Sequence, residues 1–356
     1  MPRLKVTFRG LVLALILAAL PVMGPAAPVP EIAAIANQVQ GANSTPAIDS
    51  FQDFLGSLPV NYGDQRGWSG TTPQPHLLAA RTTIYNHLSA LLTPYGGAVS
   101  YQNFTYYGYP GRNIVGVLPG RDPGNTQQYV LGAHYDAVNN PGVSDNASGV
   151  AGVLEAARVL SRYAFNATLV FIAFDLEEKG LWGSSVYASA AKSRGDNIQG
   201  MISLDMIVYN HVQNNRVEIC RGYDANSTPL MNELALVYAD YTPLTPNPRP
   251  NVWGSDHNSF ADEGYPAVLV IEELTPSNTP RNPYYHQSTD FYLDSNGLPN
   301  LYGGLEYIDF DYAEEMTRGA VAWMAGEAGL VPVPAACLLF ATGIAGLWGW
   351  RRLRGR

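Results

Sequence analysis

The chain has 356 residues, of which 46% are hydrophobic and 11% aromatic. Only 14% are charged, below the roughly 25% of ordinary soluble domains, and this composition excludes a globally disordered chain. The formal charge of −9 argues against a nucleic-acid binder, and two cysteines exclude a disulfide scaffold or a Cys-rich zinc module.

Residues 1–27 carry Arg3, Lys5 and Arg9 without an acid, then an apolar run over 11–20 and small residues at 24–27. That is the layout of a secretory signal peptide. A linker is expected over 28–47. Residues 31–60 have a helical pattern, with Phe51, Phe54 and Leu55 on one face. A loop follows over 61–75 and a helix over 76–92. Strands are predicted at 99–106 and 113–118, joined by a turn at Gly108-Tyr109-Pro110-Gly111. A strand over 128–135 precedes a helix over 148–162, whose Val150, Val153, Leu154 and Ala157 fall on one face. The apolar run 168–174 reads as a buried strand. Beyond it come a helix at 181–191, strands at 201–207 and 216–220, a helix at 229–238, a strand at 267–271 and a closing helix at 305–324. This alternation predicts an α/β fold, a three-layer sandwich with a mixed, mostly parallel central sheet.

The end of the chain mirrors its start. Val331-Pro332-Val333-Pro334 precedes sixteen uncharged residues, 335–350, and a cluster of four arginines within 351–356. Sixteen helical residues span about 24 Å, slightly less than a hydrocarbon core of about 30 Å. The arginines would stay on the cytoplasmic side. This segment, 329–356, resembles the bacterial PEP-CTERM sorting signal. The resemblance implies a protein exported to the cell envelope and held in the membrane by its C-terminal helix until an exosortase-like sorting enzyme processes it. Val333 stands where that signal usually has Glu, which leaves a plain membrane anchor open. The two ends hold seven of the 21 basic residues and none of the 30 acidic ones, so the middle carries −16. Such a protein avoids polyanions.

Chemistry-bearing residues gather where strands end. The strand ending in Ala133 leads into His134-Tyr135-Asp136, and nine residues later Asp145-Asn146-Ala147-Ser148-Gly149 opens a helix. The strand 168–174 runs into Asp175-Leu176-Glu177-Glu178, and the next ends in Asp205. Open α/β sheets collect ligands at the carboxyl ends of their strands. Several carboxylates in one crevice repel unless cations neutralise them. Two divalent ions do so, and imidazole plus carboxylate without thiolate suits Zn²⁺, with Mn²⁺ or Co²⁺ as alternatives. His286, after Tyr285, is the available further nitrogen ligand.

In order, His134-Tyr135-Asp136, the Asp145–Gly149 motif, Phe174 to Ser184 with its Glu pair, Leu204-Asp205, Ser255-Asp256-His257 and Tyr285-His286 resemble the di-zinc aminopeptidases of metallopeptidase clan MH, family twenty-eight. The resemblance covers about 48–328 and implies a zinc peptidase domain there, of the phosphorylase/hydrolase-like fold. It implies two Zn²⁺ per chain. His134 and Asp205 would hold one, Glu178 and His286 the other, with Asp145 bridging. Glu177 would be the general base, and Asp136 would orient His134 by accepting its free N–H. A cis peptide after Asp145 is also implied. Tyr285 is a candidate hydrogen-bond donor to the oxyanion and His257 a candidate substrate-side residue. Peptides are the implied substrates, cleaved at the N-terminal bond. A carboxypeptidase or dipeptidase, a glutaminyl cyclase and a non-catalytic binding domain remain as alternatives.

Overall fold

The computed structural model describes residues 28–42 and 49–331. The expected signal peptide and the part of the expected sorting segment beyond Val331 lie outside the described residues. Helices α1 (Pro30–Ala36) and α2 (Phe51–Ser57) precede a ribbon of β1 (Trp68–Ser69) and β2 (Thr72–Pro73), then the long α3 (Pro75–Leu92). A hairpin of β3 (Ala98–Tyr106) and β4 (Tyr109–Leu118) is followed by β5 (Gln127–His134). One wide π-type turn, Val143–Ser148, leads into α4 (Gly149–Leu160). Next come β6 (Thr168–Phe174), α5 (Trp182–Arg194), β7 (Asn197–Asp205), β8 (Arg216–Cys220) and α6 (Thr228–Tyr241). The chain ends with β9 (Thr245–Arg249), α7 (His257–Asp262), β10 (Ala267–Ile271), the ribbon β11 (Leu301–Tyr302) and β12 (Leu305–Glu306), and α8 (Phe310–Glu327).

Eight strands form one sheet in the order β3-β4-β6-β5-β7-β10-β8-β9. Its centre, β6-β5-β7-β10, is parallel, and the pairs β3-β4, β4-β6 and β10-β8 are antiparallel. The expected mixed α/β sandwich is therefore present. Alternation along each strand divides the core between the two faces. Leu131, Phe171, Ile202 and Val268 join α3, α4, α6 and α8 on one face. Val130, Val170, Ile172 and Met201 join α5 and α7 on the other.

Local chemistry explains where elements depart from expectation. The helical pattern at 31–60 resolves into two helices. Ser50 and Asp53 form a reciprocal capping box that starts α2. Gly41 lies so close to Phe310 that a Cβ would sit 2.1 Å from its carbonyl oxygen. Residues 28–42, expected as a linker, pack against the domain. Ile32, Ile35, Ala36 and Val39 are buried in the main core, and the Gln40 N–H donates to the buried Glu155 at 2.7 Å. The β3–β4 turn falls at Tyr107 and Gly108, both with positive φ, so Tyr109 already belongs to β4. The strand β9, Thr-Pro-Asn-Pro-Arg, was not expected. Its two prolines are tolerated because it is the sheet's edge. The closing helix begins at Phe310, capped by Asp309 through the Tyr312 N–H at 2.9 Å, while 305–306 is strand. Among the described residues no helix is long and apolar enough to cross a membrane.

Candidate metal centre

The parallel register sets the site. His134 is the last residue of β5 and pairs with Phe174 at the end of β6, while Asp205 ends β7 opposite Ile271 of β10. Their carboxyl ends share one edge, as the sequence predicts. Asp145 enters from the π-type turn ahead of α4, Glu177 and Glu178 follow β6, and His286 lies in the long connection from β10 to α8. Gly149 permits the approach of this turn to β7, since a Cβ there would meet the Leu204 carbonyl oxygen at 2.3 Å. Asn146 completes the junction, donating to that carbonyl at 2.8 Å and accepting from the Met206 N–H at 3.2 Å. The Asp145–Asn146 peptide bond is cis. Leu176 and Met206, next to Glu177 and Asp205, both have positive φ, a conformation that costs order 1–3 kcal/mol per non-glycine residue and clusters at functional sites.

The five expected ligands converge. Asp145 faces two imidazoles at once, with Oδ1 3.3 Å from His134 Nε2 and Oδ2 3.1 Å from His286 Nε2. Asp205 Oδ1 lies 3.6 Å from His134 Nε2, and Glu178 Oε2 lies 3.3 Å from His286 Nε2. Glu177 stands further off, with Oε2 3.9 Å from His134 Nε2. Among the described residues three overlapping donor groups follow: His134/Asp145/Asp205 and Asp145/Glu178/His286, which share Asp145, and His134/Glu177/Glu178. Of the two that share Asp145, the one with Asp205 is buried, and the one with Glu178 opens to solvent at His286, whose side chain is 38% exposed.

The carboxylates and imidazoles of this cluster shift one another's charge. Burial, then the neighbouring Glu178, pushes the Glu177 carboxyl up. Burial and Asp145 push Glu178 up to about 7. Burial works against both imidazolium ions, yet Glu177 and Asp205 raise His134, and hydrogen bonds to Asp145 and Glu178 raise His286 to about 10. Those same imidazoles hold Asp145 well below the usual carboxylate range against the effect of its burial. The acidic neighbours thus favour the protonated form of both imidazoles. Asp205 Oδ1 and Glu178 Oε1 are buried without a hydrogen-bond partner, an arrangement that costs about 1–3 kcal/mol per group or more when charged. Orphaned carboxylate oxygens facing imidazole nitrogens, with no sulfur donor, fit zinc.

The supporting residues differ in part from expectation. The nearest acceptor for His134 Nδ1 is the Asp136 backbone carbonyl at 3.1 Å, with the Asp136 carboxylate at 3.5 Å. That carboxylate instead accepts the N–H groups of Glu177 at 3.1 Å and Glu178 at 3.3 Å, fixing the acidic pair. Ser255 donates to Asp205 Oδ2 at 2.7 Å. Asp175 is structural, bonded to Tyr135 and Arg81 at 2.7 and 2.8 Å. His257 is not in the cleft, which corrects the expectation that it meets substrate. It is fully buried with Nε2 3.2 Å from the Val252 carbonyl, and burial lowers its pKa to about 4, so the ring is neutral. Its ring supports Val252, which does line the cleft. Tyr285 lines the cleft too, stacked on His286 with ring centroids 3.9 Å apart. Burial and nearby carboxylates push its hydroxyl up, so it remains a donor.

The cleft holds about 420 Å³ above the cluster. Met206, Val252, Leu269, Ile271 and Leu274 give it an apolar wall. The sequence reading missed this wall, because its members come from separate strands and loops. The profile of peptidase family M28 matches residues 113–297, from β4 through the His286 loop. The chain belongs to peptidase family M28. Among proteins of similar sequence, a probable zinc metalloprotease of Pyrenophora tritici-repentis is 27% identical over 74% of this chain and 70% of its own length. Leucine aminopeptidase 1 of Trichophyton equinum is 30% identical over 60% of this chain and 57% of its own. The LapA aminopeptidase of Legionella pneumophila superposes with a TM-score of 0.68 at 21% identity, covering 85% of this chain and 73% of its own. In this M28 peptidase the family match spans His134, Asp145, Glu177, Glu178, Asp205 and His286 together.

Proposed function

We propose that this M28 peptidase is an exported, zinc-dependent aminopeptidase. One observation carries the polarity of the reading. Among the described residues the cleft is lined by Asp145, Glu177, Glu178 and Asp205, and by no Arg or Lys. Bound zinc would offset those carboxylates, so what decides is the want of an Arg or Lys side chain to hold a C-terminal carboxylate. A carboxypeptidase would need a cation there.

His134 and Asp205 would hold one Zn²⁺, Glu178 and His286 a second, and Asp145 would bridge them. When bound, zinc supplies Lewis acidity, which favours hydroxide from water near neutral pH and polarises a carbonyl. Glu177 takes a proton from the attacking water on its carboxylate and returns it to the leaving amine nitrogen. Tyr285 donates its hydroxyl proton as a hydrogen bond to the oxygen that becomes negative. The apolar wall receives the side chain of the N-terminal residue.

Amino-acid anilides test this. The leucine anilide should be cleaved and its N-acetyl form should not, and a lysine or aspartate anilide should be at least about tenfold poorer, the scale of a few apolar methylenes. Equal cleavage of the free and acetylated forms would replace the exopeptidase reading with an amidase or endopeptidase. Release of pyroglutamyl peptide from a glutaminyl peptide would favour the cyclase.

Export and attachment complete the proposal. The chain leaves the domain where Leu330 pairs with Phe165, ahead of β6. That is the end of the sheet opposite the metal cluster. Val331 still donates its N–H to Ala164 at 2.8 Å. A chain ended after Val331 should therefore be soluble and fully active, as gel filtration and anilide turnover would record. An aggregated or inactive product would place the tail within the fold.

A further inference from the structure

We propose that Asp290, with Arg66 as its counterpart, is a positioning residue that sets the separation of the two metal sites. Together they fix the loop that carries Asp145 between His134 and His286. The inference rests on the metal-centre reading above.

Asp290 is fully buried. Its carboxylate accepts the Ser144 N–H at 2.9 Å on Oδ1 and the Asp145 N–H at 3.1 Å on Oδ2. Its backbone carbonyl accepts the Val143 N–H at 3.1 Å. One residue thus binds three successive N–H groups of the turn that ends in the bridging ligand. Asp290 also closes the turn that directly follows His286, donating its own N–H to the Gln287 carbonyl at 3.1 Å. The Tyr307 hydroxyl holds the carboxylate at 3.0 Å from Oδ1 and also lies 3.0 Å from Asn282 Oδ1. Asn282 in turn donates to Ser144 Oγ at 3.0 Å. The bridging carboxylate and the segment that follows His286 are therefore tied together through Asp290, whether or not a metal joins them.

Arg66 does the same on the His134 side. It too is fully buried. Its guanidinium donates to the carbonyls of Tyr135 at 2.8 Å and Pro141 at 2.9 Å, and to that of Gly142. Tyr135 follows His134 directly, and Gly142 precedes Asp145 by three residues. Gly142 has φ +60, and a Cβ on it would meet the Asp145 carbonyl oxygen at 2.4 Å and the Arg66 guanidinium at 2.7 Å. Arg66 thus joins Tyr135, next to His134, to Gly142, three residues before Asp145, and Asp290 joins Asp145 to the segment that follows His286.

A buried carboxylate serving only as a structural acceptor is an expensive choice, since taking the ion out of water costs several kcal/mol. The pattern is that of groups around a metal which orient its ligands, whose loss costs about 10–100-fold in metal affinity. Asp290→Asn keeps the shape but can accept on only one of the two carboxyl positions. Zinc stoichiometry and affinity, read by titration against a chromophoric chelator, should show two ions per wild-type chain. Affinity for at least one of them should fall about 10–100-fold in Asp290→Asn. Excess zinc should restore kcat, and the loss of melting temperature in the variant should be larger with zinc present than in the metal-free chain. Wild-type affinity in Asp290→Asn would overturn the proposal, as would equal losses of melting temperature with and without zinc. Should Asp290→Asn not fold, Tyr307→Phe is decisive, because it removes only one donor to the same carboxylate. It should weaken zinc binding at least threefold in a folded chain, and unchanged affinity would overturn the positioning role. A wild-type chain that binds no zinc overturns the metal-centre reading itself, a result distinct from wild-type binding that Asp290→Asn leaves intact.

Discussion

Replacing Glu177 by Gln should leave zinc content unchanged and lower kcat by at least about 10²-fold, the usual scale of general acid–base catalysis. The substitution keeps size and hydrogen bonding but removes the basic oxygen. Glu178→Gln should behave differently, losing zinc as well as turnover. The reason lies in the backbone. Both residues donate their N–H groups to the Asp136 carboxylate, so their Cα positions are fixed relative to each other. From there the side chains diverge. Glu178 reaches to 3.3 Å from His286 Nε2, while Glu177 stops at 3.9 Å from His134 Nε2. Burial and the neighbouring Glu178 raise the Glu177 carboxyl above its ordinary value, and a perturbed carboxyl in a cleft suits a proton-transfer role. Metal analysis alongside anilide kinetics separates the two variants. Loss of zinc from Glu177→Gln, with Glu178→Gln loaded but slow, would exchange their roles. Full activity in both would move the site elsewhere.

Part of the candidate site was legible because its residues follow strands whose apolar runs are visible, and parallel strands deliver their ends to one edge. His134, Glu177 and Asp205 needed only that rule. Asp145 and His286 sit on loops, and there the spacing of the motifs, not periodicity, placed them. What escaped the sequence acts over distance. Gln40 meets Glu155 across 115 positions, so residues 28–42 looked like a linker until the pairing was seen. Arg66 and Asp290 work through backbone groups 69 to 146 positions away, and nothing in their neighbours announces it. In Ser255-Asp256-His257 the wrong member drew attention. The serine hydroxyl reaches Asp205 at 2.7 Å, while the histidine turns inward to Val252. The prolines of β9 concealed a strand that only an edge position can accept.

Removing zinc with a chelator should abolish turnover and make the stability of the protein depend on pH in a stated direction. In the metal-free chain, burial and Asp145 hold Glu178 near 7, above its usual value near 4.5. Between those values the folded chain keeps a proton that the unfolded chain has released. The stabilisation is therefore complete below about pH 4.5 and lost as pH rises through 7. His286, raised to about 10 by Asp145 and Glu178 against its burial, has the same sign from about 6.5 upward. Both groups make the metal-free protein weaker as pH rises. One such proton changes stability by about 1.4 kcal/mol per pH unit, so the buried Glu178 alone contributes on the order of 2–3 kcal/mol between pH 5 and 7. Zinc binding has the opposite slope, because its ligands must be deprotonated. The rise in melting temperature on adding zinc should thus grow steadily from pH 5.5 to 8.5. Thermal scans with and without the metal would measure it. A gain that is flat or falls with pH would mean that these carboxylates and imidazoles are not the groups exchanging protons for metal.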